Sequence, residues 1–398
     1  MKAIRVGLLA AAIVIAAVAP AVADAPTYNK SDNVTHVANF AYDGGGELAS
    51  SGRYLFSSEA NAIGGDQRGT APKDGGLHIY DTKTMKEVAF LHCAGTDNDV
   101  EVITPRYVAM SFTQNACAPS AGEGIMIVDV KNIKKPRVVS ALNTGAGHTM
   151  KPFPGGKYLF MAGGNLAGTA DRAGTTIVDV RNPLKPKIAT NVKTVMDCHD
   201  VSFSVTEATG ALGFCAGAVG SGEVQIWDVT DPLDPVVLSR IVNPAIQYSH
   251  YAIANDDGTL LAIDDEAFAA HDCNSGQSPS GRVWIYDITN PQLPLVQGSF
   301  APPRGGNPSY ANIGTFPGWV GSWCLSHGLD WHPKKDAVAV TWFTGGVSVI
   351  DTTDPTQPTE AAFFQAEDSA TYSTLWHKGY LWTNDHMRGV DALKIKGF

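Results

Sequence analysis

The sequence predicts an all-β protein, a seven-bladed β-propeller of four-stranded antiparallel blades, and three observations carry that prediction. A short apolar phrase ending in Asp returns at steps of 48, 50, 49, 59 and 64 residues, which is the period of a propeller or a solenoid. Charged residues are only 17% of the chain, while Gly and Pro number 41 and 23, a composition typical of short strands joined by turns. A strand-like segment near the start of the chain fits the place that the last repeat leaves empty.

The repeated phrase is a β-strand by composition, because β-branched and aromatic residues dominate it. Its six clear copies end at Asp81, Asp129, Asp179, Asp228, Asp287 and Asp351. An Asn-Pro or Asp-Pro turn follows most copies and leads into a further strand. Two strands precede each copy, as at 200–205 and 211–216. Four antiparallel strands per repeat make a propeller blade.

The two ends of the chain are expected to share the seventh blade. A degenerate copy of the phrase, Gly389–Lys394, is the last repeat, and the chain ends before an outer strand can follow it. The segment His36–Tyr42 has the pattern of an outer strand, so we expect it to pair with this copy and remove the free edge. The alternative is an open solenoid, which would leave both terminal edges bare.

The first residues are predicted to be a signal peptide. Basic residues precede an apolar run at 6–18, and a small-residue cleavage site ends at Ala23. The alternative is a membrane anchor, but Pro20 and the lack of a charged stop argue against it. We therefore expect residues 1–23 to be removed. Residues 24–398 would then form one propeller domain of a secreted protein with no transmembrane segment.

Composition also excludes several classes of function. With 44% hydrophobic residues the chain can build a large core, so it is not a disordered protein. A formal net charge of -10 and the lack of a basic stripe argue against nucleic acid as a partner. No phosphate-binding loop with its Lys-Ser/Thr pair is present in the sequence, so no nucleotide cofactor is expected. A small-molecule substrate or another extracellular ligand is the expected partner.

The chain has six cysteines, all after the predicted signal peptide. An even count in an exported protein predicts disulfides, and the lack of a Cys-x-x-Cys pair argues against a thiolate zinc site. The blade alignment suggests the pairs Cys93–Cys117, Cys198–Cys215 and Cys273–Cys324.

The phrase and its turn resemble the LVIVD repeat of secreted bacterial β-propeller proteins. The pattern Ile-Val-Asp-Val-x-Asn/Asp-Pro-x-x-Pro is well kept at 176–186, 225–235, 284–294 and 348–358. The resemblance covers nearly the whole chain and implies the propeller fold and export. It implies no single reaction, so the function must be argued from the site.

Four of the eleven histidines occupy one position in four successive repeats, at the start of the predicted inner strand: His148, His199, His250 and His327. Equivalent positions of a propeller meet around its central channel, so these imidazoles are candidate metal ligands and catalytic groups. Four further residues are candidates to complete the set or to contact substrate: Glu47, Asp99, Asp200 and Tyr372. The alternative is structural, since propellers of the WD-repeat class place a histidine near this loop to bond within its own blade.

Several loops are expected at the same end of the channel. The segment 301–324 is long and holds Arg304, Trp319 and Trp323, which predicts a lid that contacts an organic ligand or a plug of the pore. The acidic run 264–266 has three interpretations: it lines the channel mouth, binds Ca²⁺, or solvates a loop. For His271 and Asp272 the sequence favours a solvated loop.

Two functions fit these patterns. The first is a metal-dependent enzyme of oxidoreductase or lyase type, with copper or zinc as the expected ion and a small organic substrate. The second is a non-catalytic extracellular binding or scaffold propeller. The orientation of the four imidazoles, towards one another or into their own blades, distinguishes them.

Overall fold

We analysed a computed structural model of the chain. It describes residues 28–42, 44–59, 75–93, 96–112, 117, 122–145, 147–162, 174–217, 222–266, 281–304, 324–367 and 369–398. Within these ranges every regular element is a β-strand, and the strands form seven antiparallel sheets. The predicted seven-bladed propeller is confirmed. The predicted signal peptide, residues 1–23, lies outside the described residues.

The strands run blade by blade along the chain. Two strands come first, β1 (Tyr28–Lys30) and β2 (Val34–Phe40). Blade one contains β3 (Gly45–Ser51), β4 (Tyr54–Glu59), β5 (Gly76–Asp81) and β6 (Lys86–His92). Blade two contains β7 (Thr96–Thr104), β8 (Tyr107–Phe112), β9 (Gly124–Asp129) and β10 (Arg137–Asn143). Blade three contains β11 (Thr149–Pro152), β12 (Tyr158–Ala162), β13 (Thr175–Asp179) and β14 (Lys187–Val192).

The remaining blades repeat this order. Blade four contains β15 (Asp200–Thr206), β16 (Gly210–Ala216), β17 (Glu223–Asp228) and β18 (Val236–Val242). Blade five contains β19 (Ala252–Ala254), β20 (Leu260–Ile263), β21 (Val283–Asp287) and β22 (Leu295–Phe300). Blade six contains β23 (Leu329–Trp331), β24 (Ala337–Thr341), β25 (Val347–Asp351) and β26 (Thr359–Ala366). Blade seven contains β27 (Thr371–His377), β28 (Tyr380–Asp385) and β29 (Gly389–Ile395), with β2 as its outer strand.

The N-terminal strand closes the ring as the sequence predicts. Strand β2 pairs antiparallel with β29, from Val34 opposite Ile395 to Phe40 opposite Val390. The observed strand begins two residues before the predicted one. The sequence did not reveal β1, which pairs with β26 as a fifth strand of blade six, because three residues carry too little pattern to identify. The N-terminal segment therefore adds an outer strand to each of two adjacent blades, six and seven.

The repeated phrase is the third strand of each blade, and its composition follows from its position. In β9, for example, every residue including Met126 is buried, and in β17 Trp227 is fully buried. The Asp that ends the phrase caps the next turn: Oδ1 of Asp129 accepts the N–H of Lys131 at 3.0 Å, and Asp228 accepts that of Thr230 at 2.8 Å. The phrase thus encodes a buried strand and the turn that ends it.

Two of the predicted disulfides are present, Cys93–Cys117 and Cys198–Cys215, with Cα–Cα distances of 5.6 and 5.2 Å. Cys324 is also disulfide-bonded, while Cys273, its predicted partner, lies outside the described residues. No helix among the described residues is long and apolar enough to cross a membrane.

Replacing Val34 by Asp is expected to destabilise the whole propeller. Val34 is 2% exposed and packs into the core of blades six and seven. The substitution therefore removes a buried apolar side chain and places a carboxylate where water cannot solvate it. We expect a loss of about 3 kcal/mol or more in the free energy of unfolding, measured by urea denaturation. Val37, three residues along β2, is 40% exposed, so Val37→Asp is the matched control and should change stability by less than about 0.5 kcal/mol. Equal losses for the two variants would contradict closure through this strand.

Candidate metal centre

Four histidines occupy the same place in four successive blades. Each comes one or two residues before the inner strand of blades three to six: His148, His199, His250 and His327. The inner strands of neighbouring blades pack against one another around the axis, so these residues meet at one end of the channel. In chain order the centroids of successive imidazoles lie 5.0, 4.3 and 3.8 Å apart. All four side chains are buried.

Two further rings continue this arc. The ring of Tyr372, the equivalent residue of blade seven, lies 3.9 Å from that of His327 between centroids. His386, in the turn between β28 and β29, follows 4.3 Å from Tyr372. The repeat alignment identified Tyr372 but not His386, because the turns between second and third strands differ in length and give no register. We call these six rings the histidine arc.

A buried acidic run approaches the arc from blade five. Asp264, Asp265 and Glu266 follow β20 and are all buried, so they do not solvate a loop. Oε2 of Glu266 lies 3.9 Å from Nε2 of His250, and Oε1 of Glu266 lies 3.9 Å from Nε2 of His327. Asp265 instead accepts the backbone N–H groups of two residues of the preceding loop, at 3.0 and 2.9 Å. The run therefore lines the channel mouth, and Glu266 is the functional candidate that the sequence did not single out.

His199, His250 and Glu266 form a group that can hold a metal ion, since one ligand atom from each lies within 4.8 Å of the others. Two ligands of one tetrahedral ion, bound at about 2.0–2.2 Å, lie roughly 3.4 Å apart. The 3.9 Å between Nε2 of His250 and Oε2 of Glu266 is longer than this, so the side chains must move towards one another to hold an ion. The carboxylate oxygens are too far from the imidazole nitrogens for hydrogen bonds.

Burial sets the charge state of the group. It lowers the pKa of His250 to about 3 and holds the pKa values of His199 and His327 well below their usual range. It raises the pKa of Glu266 well above that of an exposed carboxyl. The imidazoles of His199, His250 and His327 are therefore neutral at physiological pH, which is the form that binds metal ions.

The nitrogens of the arc show which atoms are available. Nδ1 of His327 donates to the backbone carbonyl of Tyr372 at 3.0 Å, and because a carbonyl only accepts, Nε2 carries the lone pair. Among the described residues, Nδ1 of His199 and of His250 has no partner within hydrogen-bond distance, and Nδ1 of His250 lies 3.7 Å from Oδ2 of Asp264. The bond of His327 goes to the next blade and not to its own, so it differs from the structural alternative considered for the sequence.

The acidic candidates lie further along the channel. Glu47, Asp99 and Asp200 line a cavity of about 140 Å³ that His250 and His327 also border. Burial raises the pKa of Glu47 to about 8 and that of Asp200 to about 7. The structure thus places these carboxyls next to the arc but outside the metal-holding group.

The sequence analysis missed a lysine in this cavity. Nζ of Lys151 donates to Oε1 of Glu101 at 2.5 Å, and both line the cavity. Glu101 follows Asp99 by the two-residue step that returns to the same face of a strand, so the inner-strand pattern could have revealed Glu101. No comparable signal marks Lys151.

The structure does not bring Arg304 to the histidines. Its guanidinium donates to Glu360, to Oγ of Ser348 at 3.0 Å and to the carbonyl of Gly345 at 2.9 Å, on the outer part of blade six. Trp319 and Trp323 lie outside the described residues, as do His271 and Asp272, so the lid and the solvated loop remain predictions.

The fold is shared with solved propellers of distant sequence. The structure is similar to the β-propeller domain of Cps50 (Swd1) from Myceliophteria thermophila, with a TM-score of 0.57 and 9% sequence identity. The match covers 89% of this chain and 98% of that chain, and at this identity it shows the fold alone. No protein-family model matches the chain, and no curated protein matches it either. The resemblance to LVIVD repeats therefore stays a prediction.

Replacing His250 by Gln is expected to make the metal-free protein less sensitive to acid. The folded pKa is about 3 and an unfolded histidine titrates at about 6.5, so between these values acid protonates this residue only in the unfolded chain. Wild type should therefore lose stability relative to the variant as pH falls through this range, by about 1.4 kcal/mol per pH unit. Urea unfolding of protein stripped of metal, at half-unit steps of pH, measures the difference.

His78→Gln is the control, because its pH dependence has the opposite sign. Burial lowers the pKa of His78, but Glu59 and Glu87 outweigh it and raise the pKa overall. The stability that protonated His78 contributes is fully present below about pH 6.5 and is lost as pH rises through the pKa of His78 in the folded protein. Identical acid profiles for wild type and His250→Gln would show that His250 is not buried as a neutral imidazole.

Proposed function

We propose that the protein is a secreted metalloenzyme that binds a transition-metal ion, copper or zinc, at the histidine end of its channel and acts on a small organic substrate. The observation that carries the proposal is the group formed by His199, His250 and Glu266, whose ligand atoms lie within 4.8 Å of one another. His327 and His148 are the next imidazoles on either side and serve as further ligands or as catalytic groups.

The donor set argues for the class of ion. Neutral imidazole nitrogens with one carboxylate suit zinc and copper, whereas Ca²⁺ and Mg²⁺ prefer oxygen ligands throughout. Nδ1 of His250 lies 3.7 Å from Oδ2 of Asp264, so Nε2, on the side of Glu266, is the nitrogen that faces an ion. The hydrogen bond from His327 to Tyr372 is the kind of outer contact that fixes a metal-binding imidazole.

The surroundings support chemistry as well as binding. Three protein ligands leave a coordination position open, and an ion held there supplies a Lewis acid or, for copper, a redox couple. Burial raises the pKa of Glu266, so a cation bound beside it favours the ionised carboxylate that serves as a ligand. The cavity of about 140 Å³ beside His250 and His327 has the size that holds a six-carbon ring, so a small substrate fits next to the arc. An oxidation or a lyase reaction is consistent with these groups.

Export is part of the proposal. The two described disulfides are expected in an oxidising compartment outside the cytoplasm. They agree with the predicted removal of residues 1–23.

One observation favours the second candidate, a binding or scaffold propeller without catalysis. The start of each inner strand also links neighbouring blades: Oγ1 of Thr149 donates to the carbonyl of His199 at 2.5 Å, and Nδ1 of His327 to that of Tyr372. A histidine that only ties blades together would need no ion. The two candidates differ in what a substitution changes, metal affinity or stability.

Removing one ligand is expected to abolish stoichiometric metal binding. Wild type should bind one Zn²⁺ or Cu²⁺ per chain, and His199→Ala, His250→Ala and Glu266→Gln should each lower the affinity by about 100-fold or more. Titration calorimetry and elemental analysis of the dialysed protein measure this. At a Zn²⁺ concentration of about 100 times the wild-type Kd, the ion should stabilise wild type by about 2.7 kcal/mol and the variants by about 0.4 kcal/mol or less.

His332→Ala is the matched control, because His332 lies in the turn after β23, at the opposite end of its blade. It should bind the ion like wild type. If wild type binds no ion, and the arc substitutions lower only the melting temperature, the scaffold function replaces the metalloenzyme.

A further inference from the structure

The end of the propeller opposite the histidine arc is formed by two turns from each blade, one after the first strand and one after the third. In each blade these turns lie side by side. The backbone N–H of Val130 donates to the carbonyl of Arg106 at 2.9 Å, and that of Val180 to Lys157 at 3.0 Å. In blade six the N–H of Thr352 donates to Asp336 at 2.8 Å. We call this end the turn face.

The half of the turn face made by blades one to three is strongly basic. The turns 51–54, 81–87, 104–107, 129–137, 152–158 and 179–187 hold twelve Lys and Arg against four carboxylates. These cations are exposed to solvent: Arg53, Lys83, Lys86, Arg106, Lys131, Lys134, Lys135, Arg137, Lys157, Arg181, Lys185 and Lys187. A chain with an overall net charge of -10 thus carries a net +8 on three adjacent blades.

The half made by blades four to six has the opposite sign. The turns 206–210, 228–236, 254–260, 287–295, 331–337 and 351–359 hold ten carboxylates against two lysines. The carboxylates are Glu207, Asp228, Asp231, Asp234, Asp256, Asp257, Asp287, Asp336, Asp351 and Asp354. The net charge of -8 equals that of the basic half in size, so blades one to six form a dipole across the face. Blade seven, between the two halves, adds the exposed Lys378 and Lys396.

From these observations we infer that the turn face is a self-complementary interface between two copies of the protein. A two-fold axis in the plane of the face, passing through blade seven, places blade one over blade six, blade two over blade five and blade three over blade four. Every basic blade then faces an acidic one, twice per dimer. A two-fold interface uses the same surface on both subunits, and a face with equal and opposite halves meets that condition.

Exposed apolar side chains lie where this pairing brings them together. Leu184, in the turn of blade three, is 53% exposed, and Val236, at the start of β18 in blade four, is 56% exposed. Leu293, in the turn of blade five, is 61% exposed and faces the turn of blade two. That turn borders an open groove of about 620 Å³ lined by Ile133 and the surrounding cations. Apolar contacts add to ion pairs, which contribute little singly at an exposed surface.

A dipolar partner fits the face better than an anionic polymer does. A polyanion long enough to span the face gains from blades one to three but is repelled by blades four to six, because the two halves have equal charge. A second copy satisfies both halves at once. This inference uses residues away from the metal centre and is independent of the proposed function.

A charge swap tests the dimer. The basic-half variant carries one reversal on each basic blade: Lys83→Glu, Lys134→Glu and Lys185→Glu. The acidic-half variant carries the matching reversals on the blades opposite: Asp336→Lys, Asp256→Lys and Asp234→Lys. All six side chains are exposed, so both variants should fold like wild type, which circular dichroism checks.

Wild type should form dimers in sedimentation velocity at 50 mM NaCl, and 500 mM NaCl should weaken them at least about tenfold, because exposed charges are screened. Each variant alone should dimerise about 100-fold more weakly than wild type. An equimolar mixture of the two variants should recover dimers, since every reversed site then faces a reversed partner.

Two results would overturn the inference. The first is a wild-type protein that stays monomeric over the whole range from about 1 µM to 100 µM. The second is a mixture that dimerises no better than either variant alone. Polyphosphate serves as a probe for the other occupant: binding by monomeric wild type, lost in the basic-half variant, would assign the basic half to an anionic polymer instead.

Discussion

The pairing of β2 with β29 is the constraint on which the rest of the structure depends. It joins the two ends of the described chain in one sheet and covers the outer edge of β29. Once the ring is closed, the inner strand of each blade contacts those of both neighbours. Residues at equivalent positions of different repeats are then forced together at the axis, although 45 or more residues separate them in sequence.

This constraint explains how a site can be built from a repeat. The histidine arc arises because four blades carry the same residue type at the same height, and Tyr372 continues it in a fifth. A symmetric arc alone would be a stack of neutral rings. The asymmetry comes from blade five, whose second strand is followed by a buried carboxyl that reaches two imidazoles at once. Such a carboxyl is costly to bury unless it is neutral or paired with a cation, which is why Glu266 matters for the chemistry.

Much of the fold could be predicted because the repeat records it directly. The apolar phrase and its Asp specify a buried third strand and the turn after it, and His36–Tyr42 was recognisable as a missing outer strand. The aligned histidines were predictable for the same reason. The acidic run 264–266 was a candidate with three interpretations, but nothing selected Glu266 within it, because the turns between second and third strands differ in length. His386 lies in another such turn, and Lys151 lies in a short strand without a repeated partner, so neither was predictable. Arg304 was placed with a lid because of its position in a long segment, but Glu360 and Ser348 hold it on the outer part of blade six.

The most direct test of the account is a crystal structure of the protein soaked in Zn²⁺, with anomalous diffraction recorded at the zinc edge. The account requires one strong anomalous peak at the histidine end of the channel, within about 2.0–2.2 Å of a nitrogen of His199, a nitrogen of His250 and an oxygen of Glu266. A peak elsewhere on the molecule, or a channel mouth whose imidazoles bond only to the backbone of neighbouring blades, would contradict it.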